Sequence, residues 1–133
     1  RGLTLVELLA VIVILAIVAV IAFVMIGNVM ENSRKDAHIS NAQQLIAAAK
    51  LYDATVTEIP AEGVTAKQLN EAGLLDPLID PWNAANSSYS GTVTKSTSGG
   101  VTYMVAMSGS TKCNFTATSE QNLAAQGKKI CND

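Results

Sequence analysis

The first thirty residues are almost entirely apolar, and the polar positions among them lie close to the start. Between Leu3 and Ile26 only Thr4 and Glu7 are polar, and no charged residue occurs from Leu8 to Met30. As a helix, this run would extend about 36 Å, enough to cross a hydrocarbon layer of about 30 Å. The run is apolar on all sides, so it predicts a helix with apolar surroundings. No A-x-A-like exit follows it, which favours a retained segment over a cleaved secretory signal.

A second pattern begins at Glu31, where apolar residues recur at steps of three and four and predict an amphipathic helix. No proline interrupts the chain from Leu3 to Asp53, and Gly27 costs a helix only about 1 kcal/mol. We therefore expect one helix from Leu3 to about Ala54. The apolar stripe of its second half consists of Ile39, Ala42, Leu45, Ile46, Ala49 and Tyr52. His38 lies one position off this stripe, so we expect a partly buried or surface histidine rather than a ligand or a catalyst.

After this helix the pattern changes twice. Residues 55–88 contain prolines, glycines and leucines, which predict a connecting loop, with a short helix capped by Thr65 and ended by Gly73. The stretches rich in Thr, Val and Tyr that follow predict three strands, with a turn at residues 98–100. These strands are Tyr89–Thr97, Val101–Met107 and Lys112–Ser119. The expected fold class is α+β, with a long N-terminal helix packed on a small antiparallel sheet.

Charge changes this picture little. The net charge of −2 argues against a dedicated nucleic-acid binder, which normally carries a basic patch. Acidic residues prevail from Lys50 to Asp80, and lysines prevail from Pro81 onward. This asymmetry indicates a solvated surface or, alternatively, attraction between the acidic middle of one copy and the basic end of another.

Two cysteines, Cys113 and Cys131, are present. Beside a membrane segment, an extracytoplasmic body is plausible, and a disulfide persists in that environment. Such a bridge would add about 3 kcal/mol in the chain-entropy model. Free thiols or a metal site remain as alternatives, but a metal site needs further ligands, and His38 lies far away in the sequence. We predict the disulfide.

Enzymatic chemistry has little support. The sequence has no C-x-x-C, no H-E-x-x-H, no glycine-rich phosphate loop and no Ser/His/Asp set around its one histidine. Asp76 and Asp80, each before a proline, are expected to cap turns, with calcium binding as the alternative. Asn86 and Asn114 each begin an N-x-S/T pattern, a weak indication of glycosylation. We predict no enzyme, no cofactor and no metal.

The stretch from Arg1 to Leu8, RGLTLVEL, resembles the processing signal of type IV pilins and the related pseudopilins. In that family a basic residue and a glycine precede the cleaved bond, and an acid and about twenty apolar residues follow it. The order of predicted elements also resembles the family. The segment DPWN at 80–83 resembles a D-P-W-G-like turn of some pseudopilins. The chain departs from the family at Leu3, where Phe is usual, at Ala16, where Gly is common, and at Val24, where Pro is common.

The resemblance implies that a prepilin peptidase cleaves between Gly2 and Leu3 and that Leu3 is then N-methylated. It implies a single-pass membrane protein that an assembly ATPase, a membrane platform protein and minor pilins convert into an extracellular filament of identical copies. Thr4 and Glu7 would then govern assembly. A carboxylate inside an apolar bundle needs a cation, and the α-amine freed on Leu3 of a neighbouring copy would supply it and fix the register.

These inferences divide the chain into the end of a leader (1–2), an apolar helix (3–30) and a head (31–133). The expected parts of the head are an amphipathic helix (31–54), a loop (55–88), a sheet (89–119) and a disulfide-tied tail (120–133). The predicted function is that of a pilin, serving adhesion, motility or uptake. A pseudopilin of DNA uptake or of type II protein secretion is the alternative, and a monomeric membrane-anchored binding protein is a second one.

Overall fold

The computed structural model describes residues 4–131 and has the expected α+β architecture. A long helix precedes a four-stranded antiparallel sheet. In the sequence, one short helix comes before the three longer strands and another comes after them. The elements are α1 (Leu5–Thr55), β1 (Val64–Thr65), α2 (Ala66–Glu71), β2 (Ser90–Ser96), β3 (Thr102–Ser108), β4 (Phe115–Ser119), α3 (Glu120–Gln126) and a final 3₁₀ turn (Gly127–Cys131).

The chain divides into two compact units, Arg1–Ser33 and Arg34–Asp133. The described part of the first unit consists of Thr4 and the first half of α1, whose apolar residues are exposed all round. An 18-residue window of this helix is long enough and apolar enough to cross a membrane, and none of it is buried inside the structure. The first half of α1 therefore matches the predicted apolar helix.

The second unit, which we call the head, contains the hydrophobic core. The predicted stripe of α1 is confirmed, because Ala42, Leu45 and Ala49 are fully buried and the other stripe positions are buried or partly buried. They pack with Val93 and Val105 from the middle of the sheet. Strand order in the sheet is β1-β2-β3-β4, so each strand pairs with its neighbour in the sequence.

The hairpin between β2 and β3 is also confirmed. Seven residue pairs connect the two strands, from Ser90 opposite Ser108 to Ser96 opposite Thr102. Gly99 and Gly100 in the turn have φ angles of 72° and 116°, which other residues rarely adopt. The predicted turn residues therefore fit the backbone that closes the hairpin.

The loop 55–88 contains the predicted short helix. The Thr65 side chain accepts a hydrogen bond from the Gln68 backbone N–H, and the Gln68 side chain accepts one from the Thr65 backbone, which completes a capping box. Gly73, with φ 79°, follows the end of α2. The two-residue strand β1 was not predicted, because a two-residue strand leaves no alternating pattern in a sequence.

The C-terminal segment differs from the expected tail. Ser119 caps helix α3, and Leu123 from this helix is fully buried in the core. The helix has seven residues and presents one large apolar side chain, so its sequence gives almost no periodic signal. Residues 132–133 lie outside the described part of the chain.

Candidate functional site

The start of α1 is a hydrogen-bonded cap formed by Thr4 and Glu7. The Thr4 Oγ1 accepts a hydrogen bond from the Glu7 backbone N–H at 3.1 Å and donates one to Glu7 Oε1 at 3.1 Å. The Thr4 carbonyl accepts from the Leu8 N–H, also at 3.1 Å. Thr4 is thus the N-cap residue, and the Glu7 carboxylate lies beside the positive end of the helix dipole.

Directly after this cap, the helix presents a continuous apolar surface. Leu5 is 86% exposed and Phe23 is 80% exposed, and the described large apolar side chains between them are all about half exposed or more. A soluble monomer rarely exposes so large an apolar patch. This surface therefore requires lipid or other apolar helices around it.

The predicted cleavage and methylation residues, Gly2 and Leu3, lie outside the described residues, as does Arg1. No geometry is therefore assigned to a leader or to a terminal amine.

Inside the head, Asp80 is a buried carboxylate surrounded by donors. Oδ1 accepts from the Trp82 N–H at 3.0 Å. Oδ2 accepts from the Asn86 side chain at 2.9 Å, the Thr111 N–H at 3.0 Å and the Thr111 hydroxyl at 2.6 Å. Burial disfavours the charged form, but these hydrogen bonds outweigh it and lower the pKa of Asp80 to about 2. The expected turn-capping role of Asp80 is therefore observed, and protein donors already surround both of its oxygens.

His38 is fully buried, in contrast to the partly buried or surface position expected from the sequence. Its Nδ1 lies 2.7 Å from the Tyr89 Oη, which also accepts a hydrogen bond from Asn41 at 3.0 Å. The rings of Trp82 and Phe115 contact the imidazole edge-on. The sheet and the loop 77–89 thus cover a helix position that looks peripheral when α1 is considered alone.

The surroundings of His38 favour the neutral ring. Burial lowers its pKa, and the opposing influences of the Asp80 charge and the nearby Cys113 carbonyl are smaller. His38 Nε2 has no hydrogen-bond partner within the described residues. Burial also raises the pKa of Tyr89 to about 12, so the phenol keeps its proton.

The predicted disulfide is present, and it lies against His38. Cys113 and Cys131 are bonded, with Cα atoms 5.4 Å apart. The two sulfur atoms and a ring nitrogen of His38 all lie within 4.8 Å of one another. The sequence argument that His38 is too remote to join the cysteines was wrong, because folding brings α1 against the loop before β4.

The two N-x-S/T patterns have structural roles. The Asn86 side-chain amide donates to Asp80 and to the Gly109 carbonyl at 2.6 Å. The Asn114 amide donates to the Ser110 carbonyl at 3.2 Å and accepts from the Ser110 N–H at 2.7 Å. Each side-chain nitrogen that a glycan would need is therefore committed to a contact within the head.

One acidic residue of the middle segment forms an ion pair with a lysine of the C-terminal segment in the same chain. Asp53, in the acidic middle, accepts hydrogen bonds from Lys95 Nζ and Tyr103 Oη, each at 2.9 Å, and from the Ile59 N–H at 3.1 Å. The hydrogen bond from Lys95 is the main reason that the pKa of Asp53 lies below its ordinary value. These contacts join the end of α1 to β2 and β3.

Comparison with known proteins bears on the N-terminal segment. Residues 1–23 match a family model described as the prokaryotic N-terminal methylation motif. No curated protein and no solved structure matches the chain.

Proposed function

The chain carries the N-terminal methylation signature of type IV pilins and their pseudopilin relatives, and from this premise we propose that it is a filament subunit. In this proposal the apolar half of α1 anchors the precursor in the membrane and then forms the core of a pilus-like surface filament. The observation that carries the proposal is the exposed apolar surface of α1 directly after the Thr4–Glu7 cap.

Burial of this surface in a helix bundle removes a large apolar area from water. Ten Leu, Ile or Val side chains transferred from water into a bundle would contribute about 15–30 kcal/mol before entropy losses. Lipid already covers the same surface before assembly, so packing between helices must also supply specificity. A surface of nearly uniform Leu, Ile, Val and Ala offers little to define the axial register of neighbouring copies.

Glu7 supplies the missing specificity in this proposal. The Thr4 hydroxyl is a neutral donor, which does not balance a full negative charge inside an apolar bundle. The α-amine of Leu3 on a neighbouring copy, created by cleavage after Gly2, would balance the charge and fix the register. A prepilin peptidase that cleaves and methylates, an assembly ATPase, a platform protein and minor pilins are the implied partners.

The test separates the charge of Glu7 from its part in the cap. Glu7→Gln keeps an oxygen that accepts from the Thr4 hydroxyl but removes the charge, whereas Thr4→Ser keeps the cap and the charge. We expect Glu7→Gln to accumulate in membranes at the normal level but to be lost from filaments sheared off cells. Thr4→Ser should assemble normally. A normal filament yield for Glu7→Gln would refute the register role.

Processing is tested independently by mass spectrometry of the mature chain. We expect a chain that begins with N-methylated Leu3 in the wild type and an unprocessed chain in Gly2→Val, because a β-branched side chain would block the backbone at the cleaved bond. A mature wild-type chain that retains Gly2 would refute the amine pairing proposed for Glu7.

A pseudopilin of DNA uptake or type II secretion is the second candidate. The turn at Asp80–Asn83 favours it, because Asp80 accepts from the Trp82 N–H in the segment that resembles the pseudopilin turn. Deletion of the gene distinguishes the roles: loss of transformation or of protein secretion without long fibres supports the pseudopilin. A chain that remains monomeric in membranes and absent from sheared material supports a membrane-anchored binding protein instead.

A further inference from the structure

The cystine of the head lies beside the buried imidazole of His38, and one nitrogen of this ring has no partner within the described residues. His38 is fully buried, and its Nε2 receives no hydrogen bond within the described residues. One sulfur, that of Cys113, belongs to a residue that is 5% exposed, while Cys131 is half-buried. A ring nitrogen and both sulfur atoms lie within 4.8 Å of one another. One imidazole and two sulfurs thus converge on one partly accessible place.

These three groups are metal ligands once the disulfide is opened. Thiolate and imidazole are the donors that Zn²⁺ prefers, at about 2.3 Å and 2.0–2.1 Å respectively. Tetrahedral coordination at those lengths places two sulfurs about 3.7 Å apart and sulfur and nitrogen about 3.5 Å apart. The nitrogen-to-sulfur separations of at most 4.8 Å allow this arrangement after small movements, and the two sulfurs move apart once their bond is broken. Cys131 lies on the final 3₁₀ turn, whose residues are half-buried or exposed, whereas Cys113 is buried.

The groups behind His38 suit a ligand role. Nδ1 lies 2.7 Å from the Tyr89 Oη, and this oxygen also accepts from Asn41. A phenol oxygen has two lone pairs, so it can accept from Asn41 and from an Nδ1–H together. In that tautomer Nε2 carries a free lone pair, and Tyr89 orients the ring as the outer partners of metal-binding histidines do.

We propose that reduction of the Cys113–Cys131 disulfide creates a Zn²⁺ site formed by His38 Nε2 and the two thiolates. A dithiol or phosphine reductant supplies two electrons and breaks the S–S bond, giving two thiols. Binding of Zn²⁺ then releases the two thiol protons, and a water fills the fourth position. The metal connects the same two segments as the disulfide and adds a third connection to α1, so it holds the C-terminal turn in place under reducing conditions.

The experiment uses the full chain in detergent micelles, reduced with a phosphine without oxygen and titrated with Zn²⁺ against a chromophoric chelator. We expect one Zn²⁺ per reduced chain and none per oxidised chain. Co²⁺ in place of Zn²⁺ should give a thiolate-to-metal absorption band. Cys131→Ser should lose stoichiometric binding, and Tyr89→Phe should bind about 10–100-fold more weakly because it loses the partner of Nδ1.

Circular dichroism provides a second measurement if reduction of the disulfide partly unfolds the head. In that case stoichiometric Zn²⁺ should restore the oxidised spectrum, and failure to restore it would overturn the proposal. Equal binding by oxidised and reduced chains would assign the metal to surface carboxylates and would also overturn it. Unchanged affinity in a folded His38→Phe variant would exclude the imidazole and with it the proposed site.

Discussion

At the residue scale, Asp80 is a buried charge that stabilises the head because donors surround it. Two of those donors belong to Thr111, which lies 31 positions further along the chain. The sequence indicated a turn at Asp80, since a proline follows it. The burial and the contact with Thr111 were not predictable, because they depend on how the loop before β4 folds over the loop 77–89.

The lowered pKa of Asp80 predicts a defined acid sensitivity. Its folded value of about 2 lies below the ordinary 3.8, so its contribution is complete above about pH 4 and disappears as the pH falls towards 2. The difference corresponds to about 2 kcal/mol in the free energy of unfolding. Denaturant titrations at pH 5 and pH 2, followed by fluorescence of the single tryptophan, measure this loss.

Substitution separates Asp80 from the other acids that titrate in this range. Asp80→Asn should be less stable than the wild type at pH 5, because the amide has one acceptor oxygen and its nitrogen would face donors that the second carboxylate oxygen accepts from. This deficit should shrink by about 2 kcal/mol at pH 2. Asp76→Asn is the matched control, because it removes an exposed carboxylate four positions earlier in the chain and leaves the donors around Asp80 in place. A constant deficit for Asp80→Asn would contradict the assignment.

At the scale of elements, the sequence predicted those with local signals. Helix α1, the cap at Thr65 and the β2–β3 hairpin each follow from periodicity, capping or turn residues. Helix α3 and β1 were missed, because a seven-residue helix with one buried leucine and a two-residue strand exist through tertiary contacts. The burial of His38 was underestimated for the same reason. The apolar stripe identifies the face of α1 that packs on the core, but other segments of the head cover the side of the helix where His38 lies.

The contact between α1 and the sheet depends on Gly91 in β2. A Cβ atom at this position would lie 2.5 Å from Leu45 Cδ2 and 2.8 Å from Met107 Sδ, both in buried side chains. Gly91→Ala should therefore lower the free energy of unfolding by about 1–3 kcal/mol through overpacking. Chemical denaturation measures the change, with the half-buried neighbour Ser90→Ala as control. Equal free energies of unfolding for the two variants would show that the helix and the sheet accommodate the extra methyl group without destabilising the head.

At the scale of the whole molecule, the chain combines a segment with an exposed apolar surface and a head with a buried apolar core. The first half of α1 exposes its apolar side chains, whereas the residues of the hydrophobic core all lie at position 39 or later. The sequence predicted this division from the change of pattern near Glu31. The proximity of His38 to the disulfide could not be predicted from the sequence, because it joins segments 75 or more positions apart.

This division predicts that a fragment of residues 33–133 folds in water without detergent. Its new N-terminus reads Ser33-Arg34-Lys35-Asp36, a pattern that caps a helix start, so the shortened α1 begins with a suitable residue. We expect helical and sheet signals in circular dichroism and one cooperative thermal transition. Leu45→Ala in the same fragment removes a fully buried side chain and should lower the free energy of unfolding by about 2–5 kcal/mol. A fragment without a cooperative transition would mean that the head needs the apolar half of α1 to fold, and the two segments would then have to be treated as one folding unit.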